Sequence, residues 1–241
     1  MDSVAVDLSS RNALVTGAGR GIGRAVAEAL ASKGAKVYLA ARTAPQLEAA
    51  ADAIRATGGS AVPVPTDLRS EAEVEALFDR IRKESGGPDI LVNNAGVGIF
   101  GPVVDASPAD FDAVMQVNAK AAFLCCRLAL RSMIPRKRGA IINVSSVVGF
   151  KGYPNQGIYT ASKHAILGLT KSLAAETEKH GIRVSAVLPG GVDTQMIADA
   201  RPDLDPRVLL QPEDIAHAVL FLLSLSERAA IDQIYIRRRE R

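Results

Sequence analysis

Short apolar runs alternate with longer amphipathic stretches along almost the whole chain. The runs are rich in β-branched residues and predict seven strands, over residues 13–16, 36–39, 61–64, 90–92, 140–144, 183–188 and 233–236. Between them, apolar residues at three- and four-residue spacing predict helices over residues 23–33, 46–57, 70–84, 109–133, 158–180 and 213–224. This alternation indicates an α/β fold with right-handed crossovers and a mainly parallel sheet that is covered on both faces.

No repeat, low-complexity tract or linker breaks the alternation, so residues 1–241 are expected to form a single domain. In such sheets, ligands bind outside the carboxyl ends of the strands, where the winding of the chain reverses. The loops after the predicted strands are therefore the expected place for a functional site.

The composition excludes several protein classes. Of the 241 residues, 48% are apolar and 23% are charged, which is typical of a globular chain and not of a disordered one. No apolar run reaches the length of a membrane span and the first residues lack a signal-peptide pattern, so a cytoplasmic protein without a membrane partner is expected. Cys125 and Cys126 are adjacent in an apolar stretch and are expected to pack in the core or at an interface. The three histidines are not placed for a triad or for metal binding, so no metal site is expected.

The net charge of +3 arises near the C-terminus, from Arg237, Arg238, Arg239 and Arg241 set against Glu240. The rest of the chain balances to about zero. An arginine run can bind nucleic acid or anionic lipid. A solvated chain terminus is the simpler explanation of the run and is favoured here.

A glycine-rich segment from Thr16 to Gly23 follows the first predicted strand and opens the first predicted helix. Backbone N–H groups and the helix dipole favour a pyrophosphate at such a place. Gly17 would permit the sharp turn, Gly21 the approach of the phosphates and Gly23 close packing of helix on sheet. Ile22 and Arg24 stand where the strict G-x-G-x-x-G pattern would need its third glycine, so a turn without a ligand remains the alternative.

Two arginines predict which dinucleotide is bound. Sites for NAD usually carry an acidic residue after the second strand, whereas Ala41 and Arg42 occupy that position here. Arg20 in the glycine-rich segment supplies a second guanidinium for an extra phosphate. The sequence therefore predicts NADP(H).

Tyr159 is the one tyrosine of four with a lysine four positions later, Lys163. That spacing places both on one helix face. A nearby ammonium favours the phenolate, so Lys163 is expected to lower the pKa of Tyr159 and fit it for proton transfer.

Further motifs occur in a recognisable order. They are Asp67 after the third strand, Asn93 to Gly96 after the fourth, Asn118, the pair Ser145 and Ser146, Tyr159 with Lys163, and Pro189 to Thr194. Together with the glycine-rich segment they resemble the classical short-chain dehydrogenase/reductase family, near its 3-oxoacyl-acyl-carrier-protein reductase branch, over residues 8–225. The resemblance implies a Rossmann-type doubly wound sheet with strand order 3-2-1-4-5-6-7.

The resemblance also implies a role for each matching residue. Asp67 and the Leu68 backbone would hold the adenine, Asn94, Ala95 and Gly96 would pass beneath the cofactor, and Val192 and Thr194 would fix its carboxamide. Gly17, Arg20, Gly21, Ile22, Gly23 and Arg42 would hold the phosphates. Ser146 would bind the substrate oxygen, Tyr159 would transfer the proton, Lys163 would hold the ribose, and Asn118 would anchor a water. The structural alternatives are that Asn118 hydrogen-bonds the backbone in a helix, that Ser146 caps a turn, and that Lys163 is a solvated helix residue.

The chain departs from the family near its C-terminus, where residues 230–236 lead into the arginine run. The substrate is expected to meet a short loop at about 194–211 and residues near Phe100, Phe150, Lys151 and Tyr153. An acyl thioester on a carrier protein or coenzyme A, a steroid, a sugar and a simple ketone all remain open. A homodimer or homotetramer is implied, through the helix that holds Phe123. The rival to a carbonyl reductase is a catalytically idle NADP(H)-binding redox sensor or nucleic-acid-associated protein.

Overall fold

A computed structural model of the chain describes residues 6–239. Its seven strands are β1 Asn12–Thr16, β2 Lys36–Ala41, β3 Ser60–Pro65, β4 Ile90–Asn93, β5 Gly139–Val144, β6 Ile182–Pro189 and β7 Gln233–Ile236. They form one sheet in the order β3-β2-β1-β4-β5-β6-β7, and every neighbouring pair is parallel. The predicted doubly wound, Rossmann-type sheet is confirmed, and each predicted strand is present.

The α-helices are α1 Gly21–Ser32, α2 Ala44–Ala56, α3 Glu71–Ser85, α4 Pro108–Met115, α5 Ala121–Arg136, α6 Gly157–Thr177, α7 Gln195–Ala200 and α8 Pro212–Ser224. Two differ from the sequence prediction. The single helix expected over 109–133 is two helices joined by a π-helical turn at Gln116–Lys120. The loop expected at about 194–211 contains α7, which at 6 residues is shorter than two turns and leaves too little periodicity to be seen in the sequence.

Two apolar cores cover the faces of the sheet. Helices α1, α2 and α8 pack on one face through residues such as Leu30, Ala50 and Val219. On the other face, α3, α5 and α6 pack through residues such as Leu77 and Met133. In β4, Ile90 and Val92 point to the first core and Leu91 to the second, because side chains alternate across a strand. Cys125 and Cys126 are both buried in the second core, as expected.

One continuous helical stretch, residues 108–136, is long and apolar enough by length and composition to cross a membrane. The sequence analysis expected no such segment. The buried side of its α5 portion, which includes Leu124 and Ala129, packs in the second core. Its apolar character is therefore what the core helix of an α/β sheet requires.

A buried carboxylate ties together the edge of the sheet where the strands begin. Asp89 is 3% exposed and accepts hydrogen bonds from Asn12 N at 2.9 Å, Arg136 Nη1 at 3.2 Å and Arg138 Nη2 at 3.1 Å. Arg11 lies 4.0 Å away on the same side. The carboxylate thus joins β1 to the segment between α5 and β5, opposite the carboxyl edge.

Asp89→Ala should lower the free energy of unfolding by about 2–4 kcal/mol, because it leaves partly buried arginines facing one another without their shared acceptor. Urea denaturation measures the change. Asp79→Ala is the matched control, since Asp79 pairs with Arg82 on the exposed face of α3 and should leave the unfolding midpoint near the wild-type value. Equal losses in the two variants would contradict a special role for the buried carboxylate.

Candidate active site

A cavity of about 1410 Å³ follows the carboxyl edge of the sheet. Most residues predicted from the sequence line it: Gly17, Arg20, Gly21, Ile22, Arg42, Asp67, Leu68, Asn94, Ala95, Gly96, Ser146, Tyr159, Lys163, Val192 and Thr194. The other two, Gly23 and Asn118, support the wall from behind. The fold therefore brings residues from almost the whole chain to one site.

The loops that follow β1 and β4 are locked together at the centre of this edge. Asn94 Nδ2 donates to Thr16 O at 3.0 Å and to Gly17 O at 3.3 Å. In return, Thr16 Oγ1 accepts from the backbone N–H groups of Asn94 at 3.0 Å and Ala95 at 3.1 Å. A Cβ on Gly23 would collide with Gly17 O and with Asn94 Nδ2. Glycine at that position is thus a condition for the close contact of the two loops.

The first turn of α1 opens onto the cavity, and the described residues provide no side-chain acceptor for it. Arg20 occupies the N-cap with an extended backbone and makes no side-chain cap bond, and no acidic residue stands in the first turn. Gly17 and Gly21 adopt φ values of +65° and +54°, which glycine tolerates without strain. Free N–H groups and the positive end of the helix dipole there suit a pyrophosphate.

Charged side chains distinguish the β2 and β3 end of the cavity. Arg20 and Arg42 are exposed, and within residues 6–239 neither forms an ion pair. Asp67, by contrast, is held by Arg69, whose Nε lies 3.0 Å from both carboxylate oxygens and whose Nη2 lies 2.6 Å from Oδ2. These hydrogen bonds from Arg69 hold the pKa of Asp67 below its ordinary value. Arg69 was not among the residues predicted from the sequence, although its position two residues after Asp67 offered a signal.

The middle of the cavity holds the three side chains expected to perform the chemistry. Lys163 is only 4% exposed, and its Nζ donates to Val144 O at 3.0 Å and lies 5.6 Å from the ring centre of Tyr159. Ser146 follows β5, and its Oγ lies 3.5 Å from Pro189 O and accepts from Val148 N at 3.4 Å. The three residues are therefore brought together by β5, β6 and the start of α6.

The electrostatics differ from the sequence prediction. Burial raises the pKa of Tyr159 to about 12, and a hydrogen bond with the Ser146 hydroxyl offsets only part of that rise. Burial lowers the pKa of Lys163 to about 8. The expected lowering of the Tyr159 pKa by Lys163 is thus absent in the chain by itself, because loss of hydration dominates and raises that pKa.

Asn118 lies in the π-helical turn and is buried. Its Oδ1 accepts from Val97 N at 2.8 Å, and its Nδ2 donates to Val97 O at 2.9 Å and to Ser162 Oγ at 3.0 Å. These bonds match the structural alternative of holding a backbone segment in place. A Cβ built on Gly96 would stand 3.4 Å from Asn118 Oδ1 and 3.6 Å from Lys163 Nζ, so the amide lies close to the lysine. A water anchored by Asn118 stays a prediction.

A buried polar chain supports the site from behind. Asn93 Nδ2 donates to Asn143 Oδ1, and Asn143 Nδ2 donates to Thr170 Oγ1, each at 2.8 Å. Ser145 is buried, and its Oγ donates to Lys163 O at 3.0 Å, which joins the end of β5 to α6. The sequence analysis missed the links between β4, β5 and α6, because the pairing of distant polar residues is set only by the register of the strands.

Comparison with known proteins agrees with this geometry. A family model described as short chain dehydrogenase matches residues 11–205. An uncharacterized oxidoreductase of Staphylococcus aureus strain MRSA252 is 35% identical over 230 residues, which cover 95% of this chain and 98% of that protein. The chain therefore belongs to the short chain dehydrogenase family, as its motifs predicted.

Two solved structures are similar over nearly the full length. A metagenomic short-chain oxidoreductase in complex with NADP is 38% identical, with a TM-score of 0.86, and the match covers 97% of this chain and 99% of that one. A protein of Beutenbergia cavernae, provisionally assigned as an NAD(P)-dependent gluconate 5-dehydrogenase with NADP bound at low occupancy, is 33% identical, with a TM-score of 0.89 and coverage of 95% and 96%. None of these three proteins is named as an acyl-carrier reductase, so that branch stays a prediction.

Two glycines in helices provide a direct test of the loop contact. Gly23→Ala should lower the free energy of unfolding by about 1–3 kcal/mol, because the new methyl group meets the backbone of Gly17 and the amide of Asn94. Thermal and urea denaturation measure the loss. Gly168→Ala in α6 is the control, since a Cβ there meets nothing within 4 Å and alanine favours helix by about 0.5–1 kcal/mol. A Gly23→Ala protein as stable as Gly168→Ala would be inconsistent with the packing described.

Proposed function

We propose that the chain is an NADP(H)-dependent oxidoreductase that reduces a carbonyl to an alcohol, with Tyr159 as the proton donor. The observation that carries the proposal is the meeting of Tyr159, Lys163 and Ser146 in the cavity, next to a glycine-rich turn and an uncapped helix start. A protein that only bound a nucleotide would have no need for a half-buried phenol and a buried ammonium beside a hydroxyl.

The residues at the β2 and β3 end fit NADP(H). The backbone N–H groups at the start of α1 can bind the pyrophosphate. Arg20 and Arg42 can bind the additional phosphate that distinguishes NADP(H) from NAD(H). No carboxylate follows β2, and two similar solved structures contain NADP. Thr194 stands directly beside the loop, since its Cγ2 would lie 3.3 Å from a Cβ on Gly21. When bound, the cofactor supplies the hydride.

The chain itself supplies orientation and the proton. With a pKa raised to about 12, Tyr159 is protonated throughout the neutral range, as a donor to a developing alkoxide must be. Ser146 is positioned to donate a hydrogen bond to the same oxygen. Lys163 uses one N–H on Val144 O, which leaves its others for the ribose hydroxyls and for electrostatic stabilisation of the phenolate.

The substrate is a ketone or its alcohol, and a 3-oxoacyl thioester on a carrier protein or coenzyme A is one candidate. Phe100 packs edge-to-face on Tyr159 with ring centres 5.4 Å apart, so it would flank the reacting carbonyl. We also propose a cytoplasmic homodimer or homotetramer. Phe123 is 48% exposed on α5 and borders a shallow apolar groove against α6, which supports a contact between subunits at that surface.

Tyr159→Phe removes one oxygen and should reduce turnover by at least about 1000-fold, because no other group can deliver the proton at that point. The expected measurements are NADPH oxidation with a ketone panel and NADPH binding by fluorescence, with binding preserved within about twofold. Tyr38→Phe is the control, since the hydroxyl of Tyr38 bonds Glu84 away from the cavity and should not affect turnover. Retained turnover in Tyr159→Phe would exclude the proposed role.

Arg42→Ala should lower kcat/KM with NADPH by about 10- to 100-fold and leave kcat/KM with NADH nearly unchanged, because one charge-assisted bond to the extra phosphate is lost. Arg82→Ala, an exposed charge on α3, should change neither value. A wild-type preference for NADH, or an Arg42→Ala enzyme that uses NADPH as before, would contradict the cofactor assignment.

A further inference from the structure

The arginine run begins at the cavity wall. Strand β7 pairs with β6 so that Ile236 lies opposite Pro189, and Gly190 N donates to Ile236 O at 2.7 Å. A Cβ on Gly190 would stand 3.6 Å from Cα of Arg237. Arg237 and Arg238 therefore follow β7 at the carboxyl edge and line the cavity, whereas the exposed Arg239 is not part of its wall.

A lysine from a different loop faces the end of the cavity next to β7. Lys151 follows β5, and its Nζ lies 5.8 Å from the ring centre of Phe150 and 5.9 Å from that of Tyr235 in β7. The two rings pack edge-to-face at 5.2 Å. This aromatic contact holds the loop of Lys151 against β7 and brings the Lys151 ammonium to the side of the cavity where Arg237 lies.

These cations lack the carboxylate partners that two other cations of the cavity wall, Arg69 and Arg201, have. Arg69 pairs with Asp67 and Arg201 with Asp203. Within residues 6–239, no carboxylate lies within 4.0 Å of Lys151, Arg237 or Arg238, and Arg237 Nη1 has one weak bond, to Arg238 O at 3.4 Å. Like charges gathered at one place raise the local potential and attract an anion.

The remaining carboxylate of the wall, Asp193, lies in the segment after β6. Its backbone N–H donates to Leu210 O, which ties that segment to the start of α8. One carboxylate against three cations leaves the end of the cavity positive.

The distances across the sheet show which ligand these cations can reach. In the strand order, β7 lies five positions from β2, which at about 4.8 Å per strand is about 24 Å. Arg237 therefore cannot share a phosphate with Arg42. From β7 to β5, which precedes Ser146, the separation is only about 10 Å. A side chain of arginine length spans most of it, so a small substrate held at Ser146 would reach the cations.

We propose that Lys151 and Arg237, together with Arg238, bind an anionic group of a small carbonyl substrate, a carboxylate or a phosphate, whose reacting oxygen lies at Ser146 and Tyr159. The assignment rests on the proposed function for the position of that oxygen. The planar guanidinium groups of the arginines and the ammonium of Lys151 can bind such oxyanions through charge-assisted hydrogen bonds. The arginine run would then be a specificity element and not a free basic tail.

Matched pairs of substrates separate charge from shape. NADPH oxidation is followed with 5-oxohexanoate and its methyl ester, and with dihydroxyacetone phosphate and dihydroxyacetone, so that the two pairs distinguish a carboxylate from a phosphate. The wild type should prefer the anion of at least one pair by about 10- to 100-fold in kcat/KM. Lys151→Gln and Arg237→Gln should raise KM for that anion about 10-fold or more. They should leave kcat for the anion, and kcat/KM for the neutral substrate of the pair, within about twofold of the wild-type values.

Arg239→Gln is the control for overall charge, because it removes the same charge from the same run outside the cavity. It should leave kcat/KM for all four substrates unchanged. The assignment is overturned if the wild type turns over acid and ester equally, or if Arg239→Gln produces the same loss as Arg237→Gln.

A binding measurement separates this inference from the proposed activity. Titration calorimetry of 5-oxohexanoate and dihydroxyacetone phosphate into NADP⁺-loaded Tyr159→Phe protein needs no turnover. If the protein binds either anion and Arg237→Gln weakens that binding about 10-fold, the subsite is supported. This conclusion holds even if the wild type reduces no ketone, in which case only the proposed function fails. Absence of binding by both anions overturns the subsite whatever the activity.

Discussion

The close contact between the loops after β1 and β4 is the constraint on which the site depends. Asn94 uses its amide to bind the carbonyls of Thr16 and Gly17, and Thr16 uses its hydroxyl to bind the backbone of Asn94 and Ala95. The contact closes only because Gly23 has no side chain. Since β1 and β4 meet where the winding of the sheet reverses, this lock sets the place at which a cleft can open between the flanking helices.

Burial determines the electrostatics on either side of that lock. Loss of hydration favours the neutral form of both groups, so it raises the pKa of Tyr159 to about 12 and lowers that of Lys163 to about 8. The polar chain through Asn93, Asn143 and Thr170 keeps the strands and α6 in register behind them. A phenol that stays protonated, next to an ammonium whose hydrogen bond to Val144 O fixes its direction, is thus a product of packing as much as of residue type.

Strand β7 extends the cavity beyond the part that a nucleotide would fill. Its last residue pairs with Pro189, close to Ser146, and its Tyr235 holds the loop of Phe150 and Lys151. Two arginines of the run, Arg237 and Arg238, therefore lie at the site. The two ends of the cavity are both cationic, but they are separated by most of the width of the sheet.

The order of strands and helices follows from the sequence, because strand and helix periods are local signals. The strand order of the sheet and most residues of the cavity wall were implied by the family resemblance that the glycine-rich, Tyr-Lys and further motifs carry. The tertiary structure alone decided three further matters. It set the pKa of Tyr159 through burial, engaged the amide of Asn118 with Val97 and Ser162, and placed Arg237 and Arg238 in the cavity wall. Each depends on which distant residues the strand register brings within a few ångströms, and no local pattern in a single chain encodes those distances.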